Sequence, residues 1–460
     1  MGETSVKALL HDAARRAATY LEGLDARPVA PSDAAVRRLE ALGGALPEHS
    51  TEAATVLALL DDVGSPATVA SAGPRYFGFV TGGALPETLA ANWLAGAWDQ
   101  NVAFAVMSPV AAAIEETALT WLLDLLHLPA GAGGAFVTGT TVANFTALAA
   151  ARHTVLARAD WDVEADGLFG APPVTVIVGE EVHVSLLKAL SLLGFGRKRV
   201  VRVPVDRHGR MQPDRLPRIA GPTIVCIQAG NVNTGAFDPA RELCEMGHEA
   251  GAWVHVDGAF GLWAAASPRF SQLTRGLERA DSWAVDAHKW LNVPYDSGIA
   301  LVRDAAHLRA AMSASAAYLP QGGRREPCDY TPEMSRRARG IEVWAALRGL
   351  GRAGVVDLIE RNCRQAARLA RGLEHDGYAI LNDVVLNQAL VSFGDDETTR
   401  RVIDAVQRDG TCWCGGTTWQ GQAAMRISVS SWATTDRDVE RALAAILHIA
   451  GQRRGPRQSR

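Results

Sequence analysis

SWAVDAHKW, running from Ser282 to Trp290, passes from an apolar strand into a polar turn that carries a lysine just ahead of an aromatic residue. Lys289 is oddly placed for a solvated surface charge. Lysines are rarely buried without a partner, and a desolvated lysine is a better amine nucleophile. Upstream, short apolar runs alternate with helix-like stretches; the runs are GAFVTG (134–139), VTVIVG (174–179), TIVCIQAG (223–230) and WVHVDG (253–258). Strands apolar on both faces, separated by amphipathic helices, predict an α/β fold with a mostly parallel sheet flanked by helices on each side. Ligands of such sheets bind beyond the carboxyl ends of the strands. Each run ends in a polar or glycine-containing turn, so the chemistry is expected there.

Further out, the pattern changes at about residue 356. VVDLIERNCRQAARLARGLEHDG, AILNDVVLNQALVSFG, MRISVSSW and a closing helix from about Asp436 read as a smaller α+β domain. At the other end Val6, Leu9, Leu10, Ala13, Ala17, Tyr20 and Leu21 recur at helical spacing. This first part is too short to bury its own apolar face and must lie on the main domain or on a partner subunit. The expected division is an N-terminal helical segment (1–65), a large domain (66–355), a small C-terminal α+β domain (356–450) and a solvated, disordered tail (451–460).

The chain has 460 residues, 48% hydrophobic and 21% charged, which suffices for a large core. With 46 Lys and Arg against 50 Asp and Glu, the net charge of −4 implies no basic field for nucleic acid. Six scattered cysteines make no disulfide framework and suit a reducing cytosol. Cys412 and Cys414 form C-x-C without a second ligand cluster, so no metal is expected. No signal peptide or membrane span is visible, and a cytoplasmic protein is expected.

Lys289 does not stand alone. Asp257 ends the run WVHVD and is followed by Gly258 and Ala259. Thr138-Gly139-Thr140-Thr141 lies between a strand and a helix, where hydroxyls and free backbone N–H groups suit a phosphate dianion. His183 closes another strand and could stack on a ring. Each feature alone is ordinary: a surface lysine, a turn aspartate, an N-cap, a structural histidine. Together, at the strand ends of one sheet, they describe a site for pyridoxal 5'-phosphate. Its pyridine nitrogen needs a carboxylate beside it to keep the ring an electron sink, and Ala259 supplies the small residue below the ring.

These residues resemble the group II pyridoxal-phosphate-dependent amino-acid decarboxylases, a fold-type-I family that includes aromatic amino-acid and glutamate decarboxylases. The resemblance covers roughly Pro74 to Thr435 and includes PRYFGF, SPVAAAIEE, TGTTVANFTAL, EEVHVSLLKAL, AGNVNTGAFDP, HVDGAFG, DAHKWLNVPYDSG and SRRARGIEVWAALRGLG. It implies that Lys289 is the Schiff-base lysine, Asp257 pairs with the pyridine nitrogen and His183 stacks on the ring. Thr140, Thr141 and His288 would hold the phosphate, with Asp286 beside them in the lysine segment. Tyr318, in MSASAAYLPQGGRREPCDYTPEM, matches the tyrosine that returns a proton to the substrate carbon after CO₂ leaves. A homodimer with shared active sites is implied as well.

Two departures stand out. Asn231-Val232 replaces the two threonines usual after the Ala-Gly of the strand turn, although an amide at 231 can still hydrogen-bond near the cofactor. The phosphate cup reads Gly-Thr-Thr-Val instead of the commoner Gly-Gly-Ser-Glu. Decarboxylation of an L-amino acid to the amine is the expected reaction. Aldehyde synthesis, lyase or aldolase chemistry, transamination and a non-catalytic cofactor-binding role stay open. Tyr76, Phe77, Phe79, Trp93, Trp98 and Phe104 suggest a roomy apolar pocket for an aromatic or bulky side chain. Arg426 occupies the small domain, where many fold-type-I enzymes bind a carboxylate. A nicotinamide fingerprint fails because GAGGAF (131–136) precedes its strand and lacks the spacing. HEAGAWVH lacks the H-E-x-x-H spacing of a metalloprotease.

Overall fold

The computed structural model describes residues 5–314 and 325–453. Its main sheet has seven strands: β1 (Gly133–Val137), β2 (Thr175–Gly179), β3 (Val201–Val203), β4 (Thr223–Gln228), β5 (Trp253–Asp257), β6 (Ser282–Asp286) and β7 (Gly298–Val302), in the order β1-β7-β6-β5-β4-β2-β3. The five apolar runs read from the sequence are all strands of this sheet. From β6 through β5, β4 and β2 to β3 the pairing is parallel. β7 lies antiparallel to both β6 and β1. β1 therefore points the same way as β6, and the carboxyl ends of β1, β2, β4, β5 and β6 form one edge.

The unbroken apolar character of these strands follows from burial on both faces. Val225, Ile227, Val254, Val256, Trp283 and Val285 pack into a core on one side with Leu122, Phe136 and Trp263. The alternate residues Ile224, Cys226 and Trp253 pack on the other side against Leu148, Leu186 and Leu190.

The smaller sheet is antiparallel, in the order β10-β11-β9-β8, formed by β8 (Ala379–Ile380), β9 (Gln388–Ser392), β10 (Gly415–Trp419) and β11 (Gln422–Ser428). The helix Gly340–His375 joins the two cores. It breaks at Gly351, whose φ of 59° and ψ of 179° are not helical. Before the break it gives Val343 and Ala346 to the large core; after it, Ala366, Leu369 and Leu373 to the small one. The N-terminal helix Val6–Glu22 is capped by the Ser5 hydroxyl, which accepts the Ala8 N–H. It buries no residue within the chain, leaving Val6 and Leu10 more than half exposed. Arg16 ties it to Asp61 and Asp62. Among the described residues no helix is long and apolar enough to cross a membrane, and all six cysteines are free and buried.

A buried ion pair fixes the chain as it returns from residue 325 toward the long helix. Arg336 donates to both oxygens of Glu115 at 2.7 and 2.8 Å, and both side chains are 1% exposed. Its guanidinium also reaches the Phe136 carbonyl of β1 at 3.4 Å. Arg336→Met strands the Glu115 carboxylate and is expected to destabilise the fold by about 3–5 kcal/mol. The double variant Glu115→Leu/Arg336→Met should recover most of that. Denaturant midpoints of the two variants against the parent check both statements.

Candidate active site

Lys289 is held at the carboxyl edge of β6. Its Nζ lies 2.7 Å from Asp286 Oδ2, and the carboxylate side chain is only 3% exposed. The other oxygen, Oδ1, accepts the Thr140 N–H at 2.6 Å, at the N-terminus of the 18-residue helix Thr140–Ala157. One carboxylate thus bridges the lysine turn and the helix that follows β1. Burial alone would raise the Asp286 carboxyl; the Lys289 ammonium, then His288, and the hydrogen bonds from Lys289 and Thr140 hold it below its ordinary value instead. This is the partner that a half-buried lysine requires.

The turn around Thr140 has the form of an anion cradle. The hydroxyls of Thr140 and Ser297 are buried and have no hydrogen-bond partner among the described residues. Burying a hydroxyl unpaired is unfavourable by about 1–3 kcal/mol, so two orphans in one place mark a site built for a ligand with acceptor oxygens. Gly298 allows the close approach of β7 to this turn: a Cβ there would stand 2.4 Å from the Gly139 Cα. His288 completes the wall. Its Nδ1 accepts the Ser297 N–H at 3.2 Å, which leaves Nε2 as the N–H of the neutral ring. Burial lowers this imidazole below its ordinary value against the opposing pull of Asp286. Tyr295 packs on the ring with centroids 4.3 Å apart. Donors, a helix N-terminus and a lysine on one edge fit the phosphate and aldehyde of pyridoxal phosphate.

Asp257, at the end of β5, is buried and accepts the Asn144 amide at Oδ2 and the Ala259 N–H at Oδ1, both at 3.3 Å. His183 caps the helix Val184–Leu192, with its Nδ1 2.7 Å from the Ser185 hydroxyl. Burial lowers its imidazole; Asp257 and Asp286 pull the other way, while Lys289 and Arg426 add to the lowering. These charges act on one ring because they surround one space. Thr141 is half-buried on the first turn of the same helix as Thr140.

Asn231 is in place but differently employed. Its Oδ1 accepts the N–H groups of Asn233 and Thr234, and its amide reaches the Glu181 carbonyl at 3.5 Å. The side chain builds its own turn. Of the expected pocket aromatics, Phe77 is 1% exposed inside the small-domain core and is excluded from a pocket. Tyr76 and Phe79 stack on Trp413, at 5.1 and 5.5 Å. Arg426 lies 5.8 Å from the Phe79 ring centroid, and its guanidinium reaches the Val232 carbonyl at 3.5 Å. Tyr318 lies outside the described residues. Ser297, Asn144 and Trp413 were not found from the sequence; a buried-type amide in the otherwise apolar VANFTAL was the one available signal.

Residues 39–394 match the family model described as the pyridoxal-dependent decarboxylase conserved domain. The chain belongs to the pyridoxal-dependent decarboxylase family. With it come the family's cofactor, pyridoxal 5'-phosphate, and its class, the pyridoxal-phosphate-dependent carboxy-lyases. Similar proteins include an aromatic-L-amino-acid decarboxylase of Bacillus atrophaeus, 30% identical over 64% of this chain and 62% of that protein. Tryptophan decarboxylase 1 of Oryza sativa is 27% identical over 93% of this chain and 90% of its own. An L-2,4-diaminobutyrate decarboxylase of Rhizobium meliloti is 30% identical over 78% of this chain and 74% of its own. The fold matches the crystal structure of Oryza sativa TDC with PLP and tryptamine, with a TM-score of 0.89, 23% identity and coverage of 97% and 98% of the two chains.

Thr140→Val and Ser297→Ala each remove one orphaned hydroxyl. Each is expected to weaken pyridoxal phosphate binding by about tenfold, the effect of one good hydrogen bond to a charged group. Equilibrium titration of the apo-proteins with the cofactor checks this; unaltered affinity in both would remove the hydroxyls from the cradle.

Proposed function

We propose that this protein decarboxylates an L-amino acid with an aromatic or bulky side chain, releasing the amine and CO₂. The observation that carries the reading is the half-buried Lys289 paired with the buried Asp286, beside two hydroxyls unpartnered among the described residues, on the same sheet edge as Asp257. When bound, the cofactor supplies an electron sink for the pair left by the broken carbon–carboxylate bond. The rest falls to the chain's own side chains.

On this reading Lys289 would hold the cofactor covalently through Nζ, with Asp286 Oδ2 positioning that nitrogen from 2.7 Å away. Asp257 would pair with the ring nitrogen, and His183, whose imidazole burial lowers, would cover a ring face. Tyr76, Phe79 and Trp413 form an aromatic wall for the substrate side chain. Arg426 receives the substrate carboxylate: among the described residues no carboxylate pairs with it, and burial lowers its guanidinium below the ordinary value. Tyr318 returns a proton to the substrate carbon and so selects amine over aldehyde.

A second reading, an acidic amino acid as substrate, is favoured by the same unpaired guanidinium, which would then meet a side-chain carboxylate. A homodimer would cover Val6 and Leu10 of the N-terminal helix and Trp93, Leu94 and Trp98 of the helix Pro86–Trp98, all exposed in one chain. Six free, buried cysteines suit the reducing cytoplasm.

Borohydride reduction of the yellow holoenzyme followed by peptide mapping should place the adduct on Lys289. A panel of amino acids, with products identified by mass, should then give CO₂ and amine from aromatic members. Turnover confined to acidic ones would favour the second reading, and a colourless protein or an adduct on another lysine would end both. Tyr318→Phe should slow amine release and raise the aldehyde yield; unchanged product and rate would remove Tyr318 from the mechanism.

A further inference from the structure

Behind Asp257, on the side away from the sheet edge, runs a line of buried polar groups that the reaction does not touch. Trp253 Nε1 lies 2.8 Å from Ser282 Oγ. Ser282 Oγ lies 2.8 Å from His255 Nδ1. His255 Nε2 lies 2.8 Å from Asn144 Oδ1, and Asn144 Nδ2 lies 3.3 Å from Asp257 Oδ2. Ser282, His255 and Asn144 are 0% exposed and Trp253 2%.

The protons in this line have one consistent arrangement. An indole N–H can only donate, so Trp253 fills a lone pair of Ser282 and leaves the serine O–H to donate to His255 Nδ1. Burial lowers the His255 imidazole to about 3, so the ring is neutral and carries its single proton on Nε2. That N–H donates to the Asn144 carbonyl, which turns the Asn144 amide N–H toward Asp257. The reverse order fails at both ends: indole has nothing to accept with, and a flipped Asn144 would set its carbonyl against a carboxylate. His255 and Asp257, two apart on β5, project to the same face, which allows one strand to supply both ends of the support.

We infer that Trp253, Ser282, His255 and Asn144 form a proton-ordered relay that fixes the orientation and acceptor character of the Asp257 carboxylate, making His255 and Asn144 positioning residues for its contact with the cofactor ring nitrogen. The inference rests on the cofactor placement proposed above. Outer groups of this kind orient an inner ligand, and their loss in metal sites weakens binding by about 10–100-fold.

The test uses the full-length holoenzyme and variants Asn144→Leu, His255→Leu, His255→Gln and Ser282→Ala, with circular dichroism and melting temperature as fold controls. Each is titrated with pyridoxal phosphate and with an analogue carrying carbon in place of the ring nitrogen. The parent should bind the natural cofactor more tightly than the analogue. Asn144→Leu and His255→Leu should lose about tenfold or more of that preference, and should alter the ratio of the visible to the near-ultraviolet cofactor band. His255→Gln, whose amide can both accept and donate, should restore most of both. Should the leucine variants fail to fold, Ser282→Ala and His255→Gln carry the same comparison, with Ser282→Ala the defective member. Folded variants with the parent's preference and band ratio, or a glutamine variant no better than leucine, would overturn the relay. Absence of cofactor uptake by the parent at Lys289 would instead defeat the functional reading itself.

Discussion

A lysine withdrawn from water needs an anion, and in this molecule the anion is Asp286. That single carboxylate ties the Lys289 ammonium on one oxygen and the Thr140 N–H on the other. It therefore joins the turn after β6 to the helix after β1, two segments far apart in sequence and separated in the sheet by β7. The geometry works because β7 is antiparallel to both neighbours, which leaves β1 and β6 pointing the same way. Were β7 antiparallel to only one of them, the helix N-terminus and the lysine would sit at opposite edges.

Much of this was legible in the chain. WVHVD and SWAVD read as strands because alternate residues are buried on opposite faces, leaving no polar side to confuse the pattern. β7 and β3 were not read. GIALV follows directly on a polar turn and looks like the tail of the lysine loop, and Val201–Val203 is three residues with an arginine in the middle. β10 begins Gly-Gly-Thr-Thr, which carries no strand signal of its own; it is a strand because β11 pairs with it. The change of pattern read at about residue 356 falls close to the break in the long helix at Gly351, whose backbone is not helical.

The site divides along the same line. Lys289, Asp257 and Thr140 are legible because, though each alone is ordinary, all three fall at the ends of apolar runs that read as strands of one sheet. Ser297 and Asn144 are not, since a serine in a turn and an asparagine in a helix are ordinary until the fold places one against His288 and the other against Asp257. Phe77 misled for the converse reason: an aromatic inside a pocket-lining segment points whichever way the backbone turns it, and here it turns into the small-domain core while its neighbour Tyr76 meets Trp413.

The departure at Asn231-Val232 has a structural explanation of its own. The carboxamide accepts from two backbone N–H groups through Oδ1 and reaches the Glu181 carbonyl through Nδ2, dividing the two jobs between separate atoms. Gln228 donates to the same carbonyl at 3.1 Å, so two amides converge on the backbone just ahead of His183. Polarity at this position is thus spent on holding the turn that leads to His183. The Val232 carbonyl in turn meets the Arg426 guanidinium. The group presented beside His183 at this edge is a cation roofed by Phe79, where a pair of hydroxyls would have offered neutral donors. A guanidinium attracts any carboxylate, whereas hydroxyls discriminate by geometry, so under the proposed function selection between substrates would fall to the aromatic wall of Tyr76, Phe79 and Trp413.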